Sequence, residues 1–113
     1  MEAMHAAGTR FDVVILDPPA FILRKKDLKK GLAAYRRINE LGLQLLHPGG
    51  LLVSASCSMH LSRAELIAAM QQAAVRTACQ IRIVEQGAQG PDHPIHPAIP
   101  ETEYLKAVFA RKL

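Results

Sequence analysis

Three groups of residues in this sequence carry side chains and spacing suited to chemistry. Asp17-Pro18-Pro19 directly follows the apolar run Phe11 to Leu16. An aspartate in that place is exposed at a sheet edge on a fixed backbone. The prolines after it stiffen the turn and leave carbonyls without competing amides, so the turn can present acceptors to the exocyclic amine of a base. The plain alternative is a strand-ending turn, in which Asp-Pro pairs are frequent. A strand ending in Asp also occurs in P-loop ATPases, but no G-x-x-x-x-G-K-[S/T] loop is present. Cys57, in Ser56-Cys57-Ser58, leaves a second apolar run and precedes a helix start. A helix dipole can activate such a thiol, and a thiolate forms covalent intermediates readily. Its plain alternative is a small buried hydrophobe. His93 and His96 stand in Pro91-Asp92-His93-Pro94-Ile95-His96-Pro97. The His-x-x-His spacing suits a helix, which these prolines forbid, and no cysteine pair accompanies it. No metal is therefore expected, and loop histidines that touch substrate or solvent are the better reading.

The elements that must hold these residues are readable from pattern. The consecutive β-branched residues of Phe11 to Leu16 predict a strand buried on both faces, as in a parallel sheet. From about Asp27 to Leu46 the apolar residues Leu28, Leu32, Tyr35, Ile38, Gly42 and Leu45 trace a helical stripe, widened by Leu41 and Leu46. Asp27 is a candidate N-cap. His47-Pro48-Gly49-Gly50 should stop this helix and turn the chain. Leu51 to Ser56 reads as a second strand. Ser62 and Glu65 form a capping-box pattern for a helix running to about Thr77, with Leu66, Ile67, Met70, Ala73 and Ala74 inward and Cys79 in the core beyond it.

Gln80 to Glu85 predicts a third strand, with Ile81 and Ile83 inward and Arg82 and Val84 outward. A polar, proline-rich loop from Gln86 to Thr102 leads to a last strand, Tyr104 to Ala110. Loops of that length in small domains are more often functional than not. The fold class is therefore α/β, in the order β-α-β-α-β-β. The βαβ units imply parallel strands, and the last two strands, with no helix between them, suit an antiparallel hairpin. Open α/β sheets take ligands at the carboxyl ends of their strands. Asp17 and Cys57 both sit at such ends.

Composition narrows the class further. The chain has 113 residues, half of them hydrophobic and 21% charged, the balance of a globular protein. No apolar run approaches the roughly 18 residues of a membrane span. The N-terminus lacks the basic and apolar regions of a signal peptide, and two cysteines make no disulfide framework. A cytoplasmic location is expected. The net charge is +4, and seven of the fourteen bases, Arg24, Lys25, Lys26, Lys29, Lys30, Arg36 and Arg37, lie in one stretch offset only by Asp27. Clustered bases can neutralise nucleic-acid phosphates; a solvated helix face is the alternative.

Taken together, FDVVILDPPAF, YRRIN, LQLLHPGGLLVSASCSMH, PDHPIHPAIPE and YLKAVFARKL resemble the Rossmann-like, S-adenosylmethionine-dependent methyltransferases that modify cytosine C5 in large-subunit ribosomal RNA. The likeness runs from about Phe11 to Lys112. Asp-Pro-Pro alone is shared by many methyltransferases; its combination with Ser-Cys-Ser and Asp-His-Pro is more specific. The resemblance implies that Asp17 contacts the cytosine ring and, with Pro18 and Pro19, borders the methyl donor. It implies that Cys57 is the nucleophile that adds to C6. Phe21, Lys25, Lys26 and His93 are the substrate contacts on this reading.

The family sheet has the strand order 3-2-1-4-5-7-6. The resemblance makes residues 1–113 the C-terminal half of the catalytic domain, supplying strands 4, 5, 6 and 7, with the last strand antiparallel and inserted between the fifth and sixth. The family's glycine-rich cofactor loop and ribose-binding acid belong to earlier strands, so this piece alone is expected to bind little S-adenosylmethionine. Two other readings remain. One is an N-methyltransferase that uses the Asp-Pro-Pro turn, with Cys57 structural. The other is an inactive folding unit whose exposed first strand recruits a second copy as a homodimer.

Overall fold

The computed structural model describes residues 8–18, 25–57, 61–88 and 106–113. Strand β1 (Phe11–Leu16) leads to a 3-10 turn (Lys25–Asp27) and helix α1 (Leu28–Gln44). Strand β2 (Leu46–Ser56), helix α2 (Arg63–Arg76), strand β3 (Ile81–Ala88) and strand β4 (Lys106–Lys112) follow. The four strands form one sheet in the order β1-β2-β4-β3. β1 pairs parallel with β2, and β4 lies between β2 and β3, antiparallel to both. This is the order 4-5-7-6 expected of the last four strands.

Register and burial together define the core. Val14 pairs with Leu52 and Leu16 with Ser54. Leu52 in turn pairs with Ala110, Ser54 with Val108 and Ser56 with Lys106. All these residues are buried, so they share the face that meets the helices. Tyr35 and Leu43 of α1 and Leu66, Met70, Ala73 and Ala74 of α2 belong to the same apolar cluster. On α1 the buried line is Gly31, Tyr35, Asn39, Gly42 and Leu43. Leu28, Leu32 and Ile38 flank it, so the helix is rotated slightly from the expected stripe.

The opposite face of β1 departs from expectation. The strand is not buried on both sides: Val13 is 52% exposed and Ile15 68%. On the same face Leu51, Val53, Ala55, Ala107 and Phe109 are half-buried. The cause is architectural, because the core holds both helices on one face and none of the described residues covers the other.

The end of α1 also differs. The helix stops at Gln44, and Leu46 already belongs to β2. Leu45 and Leu46 are buried, and the Leu45 carbonyl accepts from Phe11 N at 2.7 Å, so pairing with β1 takes these residues out of the helix. His47-Pro48-Gly49-Gly50 then forms a bulge within the strand. Leu46 lies opposite Phe11 and Leu51 opposite Val13. Gly49 sits at φ +86°, and a Cβ on Gly50 would meet the His47 carbonyl at 2.9 Å and the Asp12 carbonyl at 3.0 Å, which only glycine avoids. Lys112, at the end of β4, donates from Nζ to the Leu43 and Leu46 carbonyls at 2.8 and 3.0 Å. It thereby satisfies the Leu43 carbonyl that the helix end leaves open, along with one at the start of β2.

Asp27 occupies the N-cap position of α1, but its side chain makes no capping hydrogen bond; the helix is entered through the 3-10 turn instead. The capping box of α2 is present as expected. β3 runs to Ala88, beyond the expected end at Glu85, because Gln86, Gly87 and Ala88 find partners in Val108, Ala107 and Lys106. A register shift between Ile83 and Glu85 leaves Val84 outward, at 48% exposure. β4 ends at Lys112, two residues past the expected Ala110. The expected long loop falls mostly outside the described residues.

Candidate functional site

The carboxyl ends of β1 and β2 are adjacent and parallel. β1 stops at Leu16, whose partner is Ser54. Continued by one residue, that register sets Asp17 beside Ala55, two residues before Cys57. Cys57 therefore stands about 7 Å further along and one strand spacing, about 4.8 Å, across. Asp17 and Cys57 are exposed, while Pro18 is buried. The buried proline anchors the turn, and the carboxylate and the thiol face solvent from one sheet edge. An acceptor and a thiol at that separation can engage the same flat, base-sized ring.

Beneath Cys57 the strand end is held from inside. Ser56 is buried, and its Oγ lies 2.7 Å from the Tyr35 hydroxyl of α1. Tyr35 is itself fully buried, and Asn39 Nδ2 donates to its carbonyl at 2.8 Å. Lys106 pairs with Ser56 across β2 and β4 and is buried at 4% exposure. A tyrosine hydroxyl, a serine hydroxyl and an ammonium-bearing side chain thus share the helix-facing layer just below the thiol. α2 starts after the site with Ser62 Oγ accepting from Glu65 N at 3.1 Å and Glu65 Oε1 accepting from Ser62 N at 2.9 Å.

Among the expected site residues, Asp17, Pro18 and Cys57 come together at this edge, and Lys26 is exposed in the 3-10 turn that precedes α1. Lys25 belongs to the same turn by its backbone. Pro19, Phe21, His93 and His96 lie outside the described residues. Cys79 is half-buried against the core, with Sγ 3.2 Å from Thr77 Oγ1, beyond the far end of α2. Tyr35, Ser56 and Lys106 were not singled out from sequence. Lys106 has a readable signal, since it shares the alternation of Val108 and Ala110 and so points inward with them. Among the described residues no group of three His, Cys, Asp or Glu side chains could hold a metal ion, and no helix is long and apolar enough to cross a membrane.

Solved structures share this architecture. A protein described as an S-adenosylmethionine-dependent methyltransferase from Streptococcus mutans superposes with a TM-score of 0.80 at 14% identity, over 97% of this chain and 27% of its own. SMU.776, described as a methyltransferase complexed with SAH, gives 0.78 at 16% identity, over 97% of this chain and 28% of its own. The fold is that of the Rossmann-like methyltransferases.

No protein-family model matches the chain, but sequence relatives narrow the class. The chain is 41% identical over 109 residues to a protein from Deinococcus radiodurans named ribosomal RNA large subunit methyltransferase, covering 96% of this chain and 26% of the relative. It is 38% identical over 111 residues to proteins named ribosomal RNA large subunit methyltransferase I from Yersinia pseudotuberculosis and Serratia proteamaculans, covering 98% of this chain and 28% of each. The chain is thus homologous to one segment of the ribosomal RNA large subunit methyltransferases, and it spans about a quarter of the length of the curated relatives it matches.

Proposed function

We propose that this chain is the C-terminal half of a methyltransferase catalytic domain that methylates C5 of a cytosine in large-subunit ribosomal RNA. One observation carries the reading: Asp17 and Cys57 leave adjacent parallel strands at one sheet edge. They do so in a chain about 40% identical to ribosomal RNA large subunit methyltransferases. The strand order β1-β2-β4-β3 supports assignment of the four strands to positions 4, 5, 7 and 6.

The donor set at this edge fits a methyl donor and a base. Asp17 offers an exposed carboxylate, and the buried Pro18 has no N–H to compete with a bound amine. S-adenosylmethionine, when bound, supplies an electrophilic methyl group. On this reading Asp17 and Pro18 would border both donor and ring, with Pro19 next to them in sequence, and Asp17 would orient the ring. The Cys57 thiolate adds to C6, forming the S–C6 bond and breaking the C5–C6 double bond. The electron pair would move to C5, which would take the methyl group as the donor's S–CH3 bond breaks and leaves a neutral thioether. The C5 proton then leaves to a base, the double bond re-forms and the thiolate departs. Phe21, Lys25, Lys26 and His93 are proposed as RNA contacts.

The test is Cys57→Ala in the intact enzyme. Formation of 5-methylcytidine should cease, while RNA binding persists. RNA carrying 5-fluorocytidine, whose C5 substituent cannot leave as a proton, should form a denaturation-resistant adduct that maps to Cys57. Retained methylation in Cys57→Ala would exclude the covalent route and favour an N-methyltransferase that uses the Asp17-Pro18-Pro19 turn.

A second reading concerns assembly and rests on the exposed apolar side chains of β1. We infer that the 113-residue chain by itself pairs with a second copy through this strand and its open face.

A further inference from the structure

The bases of α1 and of the 3-10 turn before it were legible as a charge cluster, and their placement gives that cluster a direction. Lys26, Lys29, Lys30 and Arg37 are all exposed, and Arg36 is half-buried. With Ala33, the positions 26, 29, 30, 33 and 37 recur at helical spacing on one face. That face is opposite the buried line of Tyr35, Asn39 and Gly42. From Lys26 to Arg37 it extends about 16 Å at 1.5 Å per residue. It begins at the end of α1 nearest the carboxyl end of β1, which carries Asp17. Its far end meets a groove of about 420 Å³ between α1 and α2, lined by Arg36, Gln71, Gln72, Val75 and Arg76. Arg36 Nε has no hydrogen-bond partner among the described residues.

We propose that the outer face of α1 is a track for an RNA phosphodiester backbone, leading from the Arg36 groove to the site at Asp17 and Cys57. Charge complementarity selects a polyanion: there are five bases against one acid, Asp27, over residues 26–37, and Glu40, the next acid along the helix, is paired with Arg76 of the groove. A bilayer is a poor match. Membrane-surface helices bury a large apolar face in lipid, whereas that face of α1 is packed on the sheet and Ala33 is the only apolar residue among the bases. The choice of RNA among polyanions rests on the proposed function; the surface itself does not. Contacts of this kind position the strand and carry no sequence information.

The test measures binding of the 113-residue chain to a fluorescein-labelled single-stranded RNA by anisotropy across a potassium chloride series, without S-adenosylmethionine. Each lost phosphate contact lowers the slope of log K against log salt by about 0.7 for a single strand. The double variant Lys29→Gln with Lys30→Gln should therefore flatten the slope by about 1.4. Arg10→Gln with Arg82→Gln, an equal charge loss away from α1, should leave it unchanged. Equal flattening in both variants, no saturable RNA binding, or stronger binding to phosphatidylserine vesicles than to RNA each overturns the proposal. Cys57→Ala separates the two readings, because it removes the nucleophile and leaves the track intact. Methylation retained in Cys57→Ala beside a slope that Lys29 and Lys30 control overturns the covalent reading alone, and methylation lost in Cys57→Ala beside RNA binding indifferent to Lys29 and Lys30 overturns the track alone.

Discussion

The Tyr35 hydroxyl and Ser56 Oγ meet at 2.7 Å, one residue before the thiol on which the proposed reaction turns. Both groups are fully buried, so the bond ties helix α1 to the exit of β2 without exchange for water. A net buried hydrogen bond contributes about 1 kcal/mol. Tyr35→Phe keeps the ring and removes the hydroxyl, so urea unfolding should show a loss of about 1–2 kcal/mol. In the intact enzyme the same variant should lower kcat more than it raises KM, because it loosens the segment that carries the proposed nucleophile and leaves the proposed RNA contacts alone. An unchanged unfolding midpoint together with an unchanged kcat would show that the bond neither stabilises nor aims. Neither partner was singled out from sequence, for a physical reason. Tyr35 lies on the apolar stripe of its helix and reads as core, and only the fold brings its hydroxyl to Ser56. Asp17 and Cys57 were readable because each directly follows an apolar run, and a strand end is a place that needs no tertiary information.

At the scale of elements, local chemistry and tertiary pairing divide the outcome. The N-terminus of α2 was legible because Ser62 and Glu65 satisfy each other's backbone amides, a bond pattern contained within four residues. Its C-terminus falls where the pattern put it, with Thr77 as the C-cap, but the bonds that close it were not readable. Cys79 N donates to the Ala74 carbonyl at 3.0 Å and Ala78 N to the Val75 carbonyl at 3.2 Å, the pair of bonds that defines a Schellman motif. The left-handed position of that motif holds Ala78, at φ 55°, where glycine is usual. A Cβ in that conformation costs about 1–2 kcal/mol. Glycine relieves it but adds about 0.4–1 kcal/mol of unfolded-state entropy. Ala78→Gly should therefore stabilise the chain by roughly 0.5–1 kcal/mol, and Ser62→Ala should destabilise it by about 1 kcal/mol. Urea denaturation of the two variants beside the parent checks both signs. A destabilised Ala78→Gly would mean that the left-handed residue carries no strain. Where the reading missed, pairing between distant strands decided. His47-Pro48-Gly49-Gly50 has the composition of a turn and forms a bulge inside β2, because the residues before it pair with β1. β3 outruns its expected end because β4, distant in sequence, supplies the partners.

At the scale of the whole molecule, the described residues pack one face of the sheet and leave the other open. Phe11, Val13 and Ile15 are exposed at 38%, 52% and 68% on the outermost of the described strands next to β2. The half-buried Leu51, Val53 and Phe109 continue the same apolar surface. A strand edge with free backbone groups is a template for pairing, and a contiguous apolar patch beside it adds the hydrophobic gain, about 25 cal/mol for each Å² covered. The run Phe11 to Leu16 reads from sequence as a strand buried on two sides, and that pattern records what such a strand requires. Among the described residues it obtains cover on one side only. In the 113-residue chain the cheapest remaining cover is another copy, and an antiparallel β1–β1 contact would join two edges and two apolar faces at once. Light scattering coupled to gel filtration should therefore give a mass that rises toward twice the monomer value with concentration. Ile15→Lys puts a charge at the most exposed point of the face, and Val13→Lys does so two residues away. Either should hold the chain at monomer mass without loss of helical signal, since neither side chain touches the packed face. A parent chain that stays monomeric at every concentration, or lysine variants that associate as well as the parent does, would remove β1 as the contact.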